Sequence, residues 1–131
     1  MIQVRTLREG EPFPQHLGTG FETMPVMNSF VWVAERDERI IGILMAAPCH
    51  GLIFIVRIRV EEGSNPAVVH LLFRHCMKDC KEMGFIGYFS YIDPQRESEA
   101  AMISICTRAG GIQVTKLQVP LVGSIEKAAR F

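Results

Sequence analysis

Asn65 to Gly111, NPAVVHLLFRHCMKDCKEMGFIGYFSYIDPQRESEAAMISICTRAGG, is the stretch whose reading decides the fold. Pro66 and Gly84 bracket a long amphipathic helix. Asn65 is placed to accept a free amide hydrogen at the helix start, and Pro66 suits the first helical position, where its missing donor is not needed. Ala67, Val68, Leu71, Leu72, His75 and Cys76 trace one face, with Met83 farther along, while Arg74, Lys78, Asp79 and Lys81 take the wetter side. Gly84 ends the helix in a left-handed conformation. Phe85 to Ile92 then has the aromatic content of a strand. Asp93-Pro94 signals a turn, and Ser98 is the expected cap of a second helix from Glu99 to Ala109, with Met102, Ile105, Cys106 and Ala109 on one side and Gly110 closing it.

Upstream, Leu52 to Val60 starts as a continuous apolar run and then alternates Arg57 and Arg59 against Ile58 and Val60. This predicts a central strand whose end reaches solvent. With the helix and strand that follow it makes a crossover unit, expected to be right-handed. Phe30 to Glu35 and Arg39 to Ala47 are strands separated by Arg36, Asp37 and Glu38, a hairpin with Asp37 in the turn. Pro48 is expected to end the second of them. Ile2, Val4 and Thr6 alternate as a first strand does, whereas Arg8 to Gly20 is rich in Pro and Gly and predicts irregular structure. Downstream, Ile112 to Val119 reads as another strand, with a bulge between Val114 and Leu117, and Ser124 to Phe131 as a short helix or docking tail. The sum is an α/β (α+β) chain, a mixed sheet flanked by helices.

The chain has 131 residues, enough to bury roughly two-thirds of its unfolded surface in one domain covering residues 1–131. Fourteen basic side chains balance fourteen acidic ones, which indicates neither nucleic acid nor an anionic membrane as partner. The longest apolar runs, Ile40 to Cys49 and Leu52 to Val56, are too short to span a bilayer, and the N-terminus does not read as a secretion signal. A soluble, cytoplasmic protein is expected. Its four cysteines, Cys49, Cys76, Cys80 and Cys106, read as reduced and mostly buried thiols. His75, Cys76 and Cys80 lack the second ligand pair of a closed zinc site, so no metal is expected.

Three segments, VWVAERDERIIGILMA, LIFIVRIRVEEGSNPAVVHLLFRHCMKDCKEMGF and SEAAMISICTRAGG, together resemble the GCN5-related N-acetyltransferase (GNAT) superfamily over about residues 30 to 111. The resemblance implies a polar-turn hairpin before a central strand, a loop and helix start that hold the pyrophosphate of acetyl-CoA, and a later helix ending in a glycine turn. The family's loop pattern, [Gln or Arg]-x-x-Gly-x-[Gly or Ala], is altered. Gly63 stands for the Gln or Arg, Pro66 for the glycine and Val68 for the last small residue, so a donor is lost and bulk is added. The family's helical tyrosine, a proton donor near the leaving thiolate, corresponds to Cys106, and its common asparagine to Glu99.

By this resemblance the chain is an acyl-CoA-dependent N-acyltransferase, moving an acetyl or other acyl group to an amine. Ile58, Val60, Gly63, Ser64, Asn65, Ala67 and Val68 are the expected contacts for acetyl-CoA or another acyl-CoA, and Val56 to Arg59 orient the substrate. Cys106 is the candidate proton donor, and Glu61 the candidate base beside Glu62 and His50. The rival reading is a catalytically silent subunit of the same fold in a homo-oligomer or larger assembly, such as a viral or mobile-element assembly. Its expected partner surface is Phe13, Phe21, Met24, Met27 and Phe30.

Overall fold

The computed structural model describes residues 1–18, 29–111 and 124–130. Strands β1 (Gln3–Thr6), β2 (Phe30–Arg36), β3 (Arg39–Cys49), β4 (Leu52–Val60) and β5 (Gly87–Ser90) form one sheet in sequence order. The first four are antiparallel neighbours, and β5 lies parallel to β4. Helix α1 (Ala67–Glu82) makes the crossover between those two, α2 (Glu97–Arg108) follows β5, and α3 (Ile125–Ala129) is a short C-terminal turn. Phe21, Met24, Met27 and the strand expected over Ile112 to Val119 lie outside the described residues.

Two tight hairpins set the register. Asp37 and Glu38 at φ 52° and 65° link β2 to β3, and His50 and Gly51 at 51° and 82° link β3 to β4, the positive angles that a two-residue turn between twisted strands needs. Pro48 does not end β3, which runs on to Cys49. Among the described residues the pairing with β2 reaches only Phe30↔Ala46, while Pro48 stands opposite Ile53 of β4.

Both long helices stop as their glycines foretell. Gly84 and Gly110 take φ of 92°, and the next amides, Phe85 and Gly111, donate back to the carbonyls of Cys80 and Cys106 at 3.0 and 2.7 Å. The buried face of α1 is Val68, Val69, Leu72, Phe73, Cys76 and Cys80, rotated from the expected one. Ala67 and Met83 are exposed, and half-buried Asp79 accepts the Trp32 indole hydrogen at 2.8 Å instead of facing water. Gly42 on β3 permits this seat. A Cβ there would stand 3.1 Å from both Leu72 Cδ1 and Val68 Cγ1.

The main core lies between the sheet and the two helices, with Trp32, Leu44, Ile55, Ile58, Leu72 and Met102 almost wholly buried. Each such side chain is worth about 1.5–3 kcal/mol over leaving it in water. The opposite face carries Val33, Ile43 and Met45 under Leu17, which sits in a turn of 3-10 helix at Gln15–Leu17. Phe13 packs on this second cluster and Phe30 on the first, so both serve their own sheet.

Candidate functional site

Among the described residues β5 pairs with β4 only from Leu52↔Gly87 to Ile55↔Ser90, and β4 runs on to Val60 paired with β3 on its other flank. A register shift opposite Met45/Ala46 inserts an extra β4 residue at the same level, turning the strand as its neighbour leaves. Ser90 Oγ donates to the Ile55 carbonyl at 2.9 Å, on the last paired rung. Beyond it a wedge opens between the strands.

The first turn of α2 lies over that wedge. Ser98 Oγ donates to the Ile58 carbonyl at 3.2 Å, and Arg59 Nη1, which also reaches this carbonyl, meets Glu99 Oε2 at 2.6 Å. The two charged side chains are only 9% and 8% exposed. Burial pulls the Arg59 guanidinium below its ordinary pKa, against the pull of Glu99 in the other direction. The Arg59 Nε is buried without a hydrogen-bond partner. Arg59 therefore does not end β4 in solvent, contrary to the sequence reading. Helix α2 begins at Glu97, and Ser98 is an inward bridge to β4 instead of its cap.

Two clefts meet beneath this bridge. One, of about 280 Å³, is lined by Arg59, Val60, Glu62, Ser64, Arg96 and Glu97 among others. The second, of about 340 Å³, lies between α1 and α2 and is lined by Ala67, His70, Ser104, Ile105 and Arg108. Pro66 and Ala101 border both, so they form one groove from the free end of β4 to the last turn of α2. Its β4 end is rich in carboxylates and its far end carries His70 and Arg108.

Of the residues expected to contact an acyl-CoA, Val60, Ser64 and Ala67 line the groove. Ile58 reaches the wedge only through its backbone, since its side chain is in the main core. The loop before α1 consumes its own donors. Asn65 Oδ1 takes the Ala67 amide at 2.9 Å, the Asn65 carbonyl takes that of Val68 at 2.9 Å, and the Pro66 carbonyl takes that of Val69 at 3.1 Å. Asn65 is thus the helix cap, and Pro66 already has helical angles of φ −52° and ψ −21°. Gly63, at φ 79°, shapes the turn, whose Ser64 amide goes to the Glu61 carbonyl at 3.0 Å. These amides do not fit a pyrophosphate cradle of the expected kind.

Val68 requires a correction: it is 1% exposed and points under Gly42, and Val69, the next residue round the helix, borders the groove. Glu61 lies at the groove but is ion-paired with Arg39, which holds its carboxyl below the usual range and weakens it as a base. Cys106 packs against the core and borders neither cleft; burial pushes its thiol pKa up. Tyr88 stands beside it, its buried hydroxyl lacking an ordinary hydrogen bond and its pKa pushed up to about 12 by burial. His50 is in the hairpin turn at the start of β4, the end away from the groove. The Cys76 and Cys80 sulfurs lie 3.9 Å apart in the core, and no group of metal-binding side chains gathers among the described residues.

Sequence reasoning named Arg59 only as a substrate-orienting strand residue, without its buried partner, and missed Arg96, Ser98, His70 and Arg108 as groove or wedge residues. One signal for the burial of Arg59 was available: Glu99, where the resemblance leads to asparagine, needs a cation when buried.

No protein-family model and no curated protein sequence matches the chain. Solved structures do. An aminoglycoside acetyltransferase, meta-AAC0020 from an uncultured soil metagenomic sample, in complex with trehalose, superposes with a TM-score of 0.67 at 18% identity over 92% of this chain and 97% of that one. An IAA acetyltransferase from Bacillus cereus gives 0.65 at 16% identity over 83% and 75%. Aminoglycoside N-acetyltransferase AAC(6')-Iy in complex with CoA gives 0.63 at 14% identity over 93% and 95%. Likeness at such identities establishes the fold, and that fold is GNAT-like: a mixed sheet flanked by helices.

Proposed function

We propose that this chain takes an acyl-CoA, acetyl-CoA being the simplest, into the groove and passes the acyl group to an amine. The observation that carries this reading is the parting of β5 from β4 after Ile55↔Ser90, with a groove opening at the free end of β4. In the reaction the amine nitrogen attacks the thioester carbonyl carbon, the C–S bond breaks, the nitrogen sheds a proton and the departing thiolate gains one.

Along a strand the N–H and C=O of one residue point to the same edge, so the Ile58 amide faces the wedge together with its carbonyl. It is the donor best placed to polarise a thioester carbonyl. Glu62 and Glu97 border the groove with no ion-pair partner among the described residues, and they would attract an ammonium and accept its proton. Glu61 is second to them because Arg39 holds its charge. Cys106 takes no part, and water in the open groove protonates the thiolate.

A specific observation favours the rival, a silent subunit that assembles with copies of itself or other proteins. The Arg59–Glu99 pair and the Ser98 bridge close the wedge, and the helix start uses its own amides. Calorimetric titration of the folded protein with CoA and acetyl-CoA separates the two readings. Saturable binding at about millimolar or tighter supports the transferase. Its absence, with the melting transition unchanged by ligand, leaves the silent subunit.

A further inference from the structure

Resting on that reading, we infer that the phosphate-bearing end of the acyl donor is held by side chains at the α1–α2 corner, Arg108 with His70 and Ser104, and not by the loop before α1. The loop is unsuitable for two reasons. The amides of Ser64, Ala67, Val68 and Val69 all donate within the chain, and Glu61 and Glu62 set two carboxylates beside them. A phosphate there would meet negative charge and no free cradle.

The groove's other end has the opposite character. Three arginines line the groove. Arg59 is paired with Glu99, and Arg96 lies 3.7 Å from Asp93 and 3.8 Å from Glu99. Arg108 has no carboxylate partner among the described residues; its Nη2 donates only to Ser104 Oγ, at 3.2 Å. Its remaining guanidinium donors are therefore open to a ligand. His70 comes from α1 on the other wall, and the cleft between them has about 340 Å³ of space. Planar guanidinium donors match phosphate oxygens in pairs, and a hydroxyl beside them adds a further donor. Continuity through Pro66 and Ala101 lets a ligand anchored here extend its uncharged arm to the free end of β4.

The test is calorimetric titration of CoA into wild type, Arg108→Gln, Arg108→Gln with His70→Gln, and Lys78→Gln, each first shown to melt as wild type does. Lys78 is an exposed cation of α1 outside the groove, so it controls for net charge. The double variant should bind at least about tenfold more weakly, the loss of charged hydrogen bonds, with a shallower salt dependence, while Lys78→Gln stays near wild type. Equal affinity in all four, or equal loss in Lys78→Gln, overturns the assignment and leaves the acyl-donor reading intact. A wild-type protein that does not bind CoA overturns both.

Discussion

Replacing Glu99 by Gln tests whether the bridge over the wedge is a buried charge pair in the energetic sense. Arg59 Nη1 and Glu99 Oε2 are 2.6 Å apart, which at an effective dielectric of about 20 corresponds to an attraction of roughly 6 kcal/mol before desolvation. Both side chains are at least nine-tenths buried, so most of that attraction offsets their loss of water. Glutamine keeps an oxygen for the Asp93 amide, now 3.3 Å from Glu99 Oε1, but leaves Arg59 facing Arg96 without an anion between them. The expected cost is about 3–5 kcal/mol in urea unfolding. Arg59→Met alone should cost a similar amount, because it strands Glu99. The double variant Arg59→Met with Glu99→Leu should recover most of the loss, since two apolar side chains need no pairing. Single-variant losses below about 1 kcal/mol, with no coupling in the cycle, would mean that water already reaches the pair and that the wedge is open.

Three further outcomes follow from side-chain placement. Val68→Ala should cost roughly 2 kcal/mol in ligand-free protein and leave CoA affinity unchanged, because Val68 fills space under Gly42; altered affinity at unaltered stability would return it to the phosphate path. Tyr88→Phe should melt within a few degrees of wild type, since the hydroxyl it removes is buried without an ordinary partner; a loss above about 1 kcal/mol would reveal a hydrogen bond, to Cys106 or elsewhere. Glu11 is clamped by Arg5 through two hydrogen bonds of 2.8 Å, which lower its carboxyl pKa from 4.5 to about 2. A depressed folded-state value means stability that is fully present above about pH 4.5 and lost as pH falls through about 2. Thermal melts over that window should flatten in Glu11→Gln, and an identical slope in the variant would contradict the clamp.

The fold was legible where one local signal dominated. Leu52–Val60 was read with its observed boundaries because its apolar run is continuous, and Gly84 and Gly110 marked the helix ends because only a left-handed residue closes them so. The phase of α1 was not legible. Residues 67 to 73 read AVVHLLF, apolar at all but one position, so periodicity alone fits several faces, and the choice falls to the gap that Gly42 leaves on β3. Arg59 was misread for a related reason: a charged residue near a strand end resembles a solvated edge until its partner, forty positions later, folds over it. The groove shares this non-local character, since its walls come from β4, α1 and α2 and no short motif contains them.

Helix α2 links the two halves of the functional question because its ends act in opposite senses. Its first turn, through Ser98 and Glu99, fastens β4 and closes the wedge, while its last turn offers Arg108 to the groove. A rigid helix joins them over about three turns, so a ligand drawn to Arg108 need not disturb the bridge, whereas an acyl arm entering the wedge must displace it. Binding and access are therefore separable. Glu99→Gln loosens the closure without touching the basic corner, and Arg108→Gln empties the corner without touching the closure. If the closure is what silences the chain, the first change should strengthen CoA binding in protein that is still folded, and the second should abolish that gain. If Glu99→Gln instead leaves affinity where it was, the bridge is a strut of the fold, and the donor, if bound, enters without parting β4 from α2.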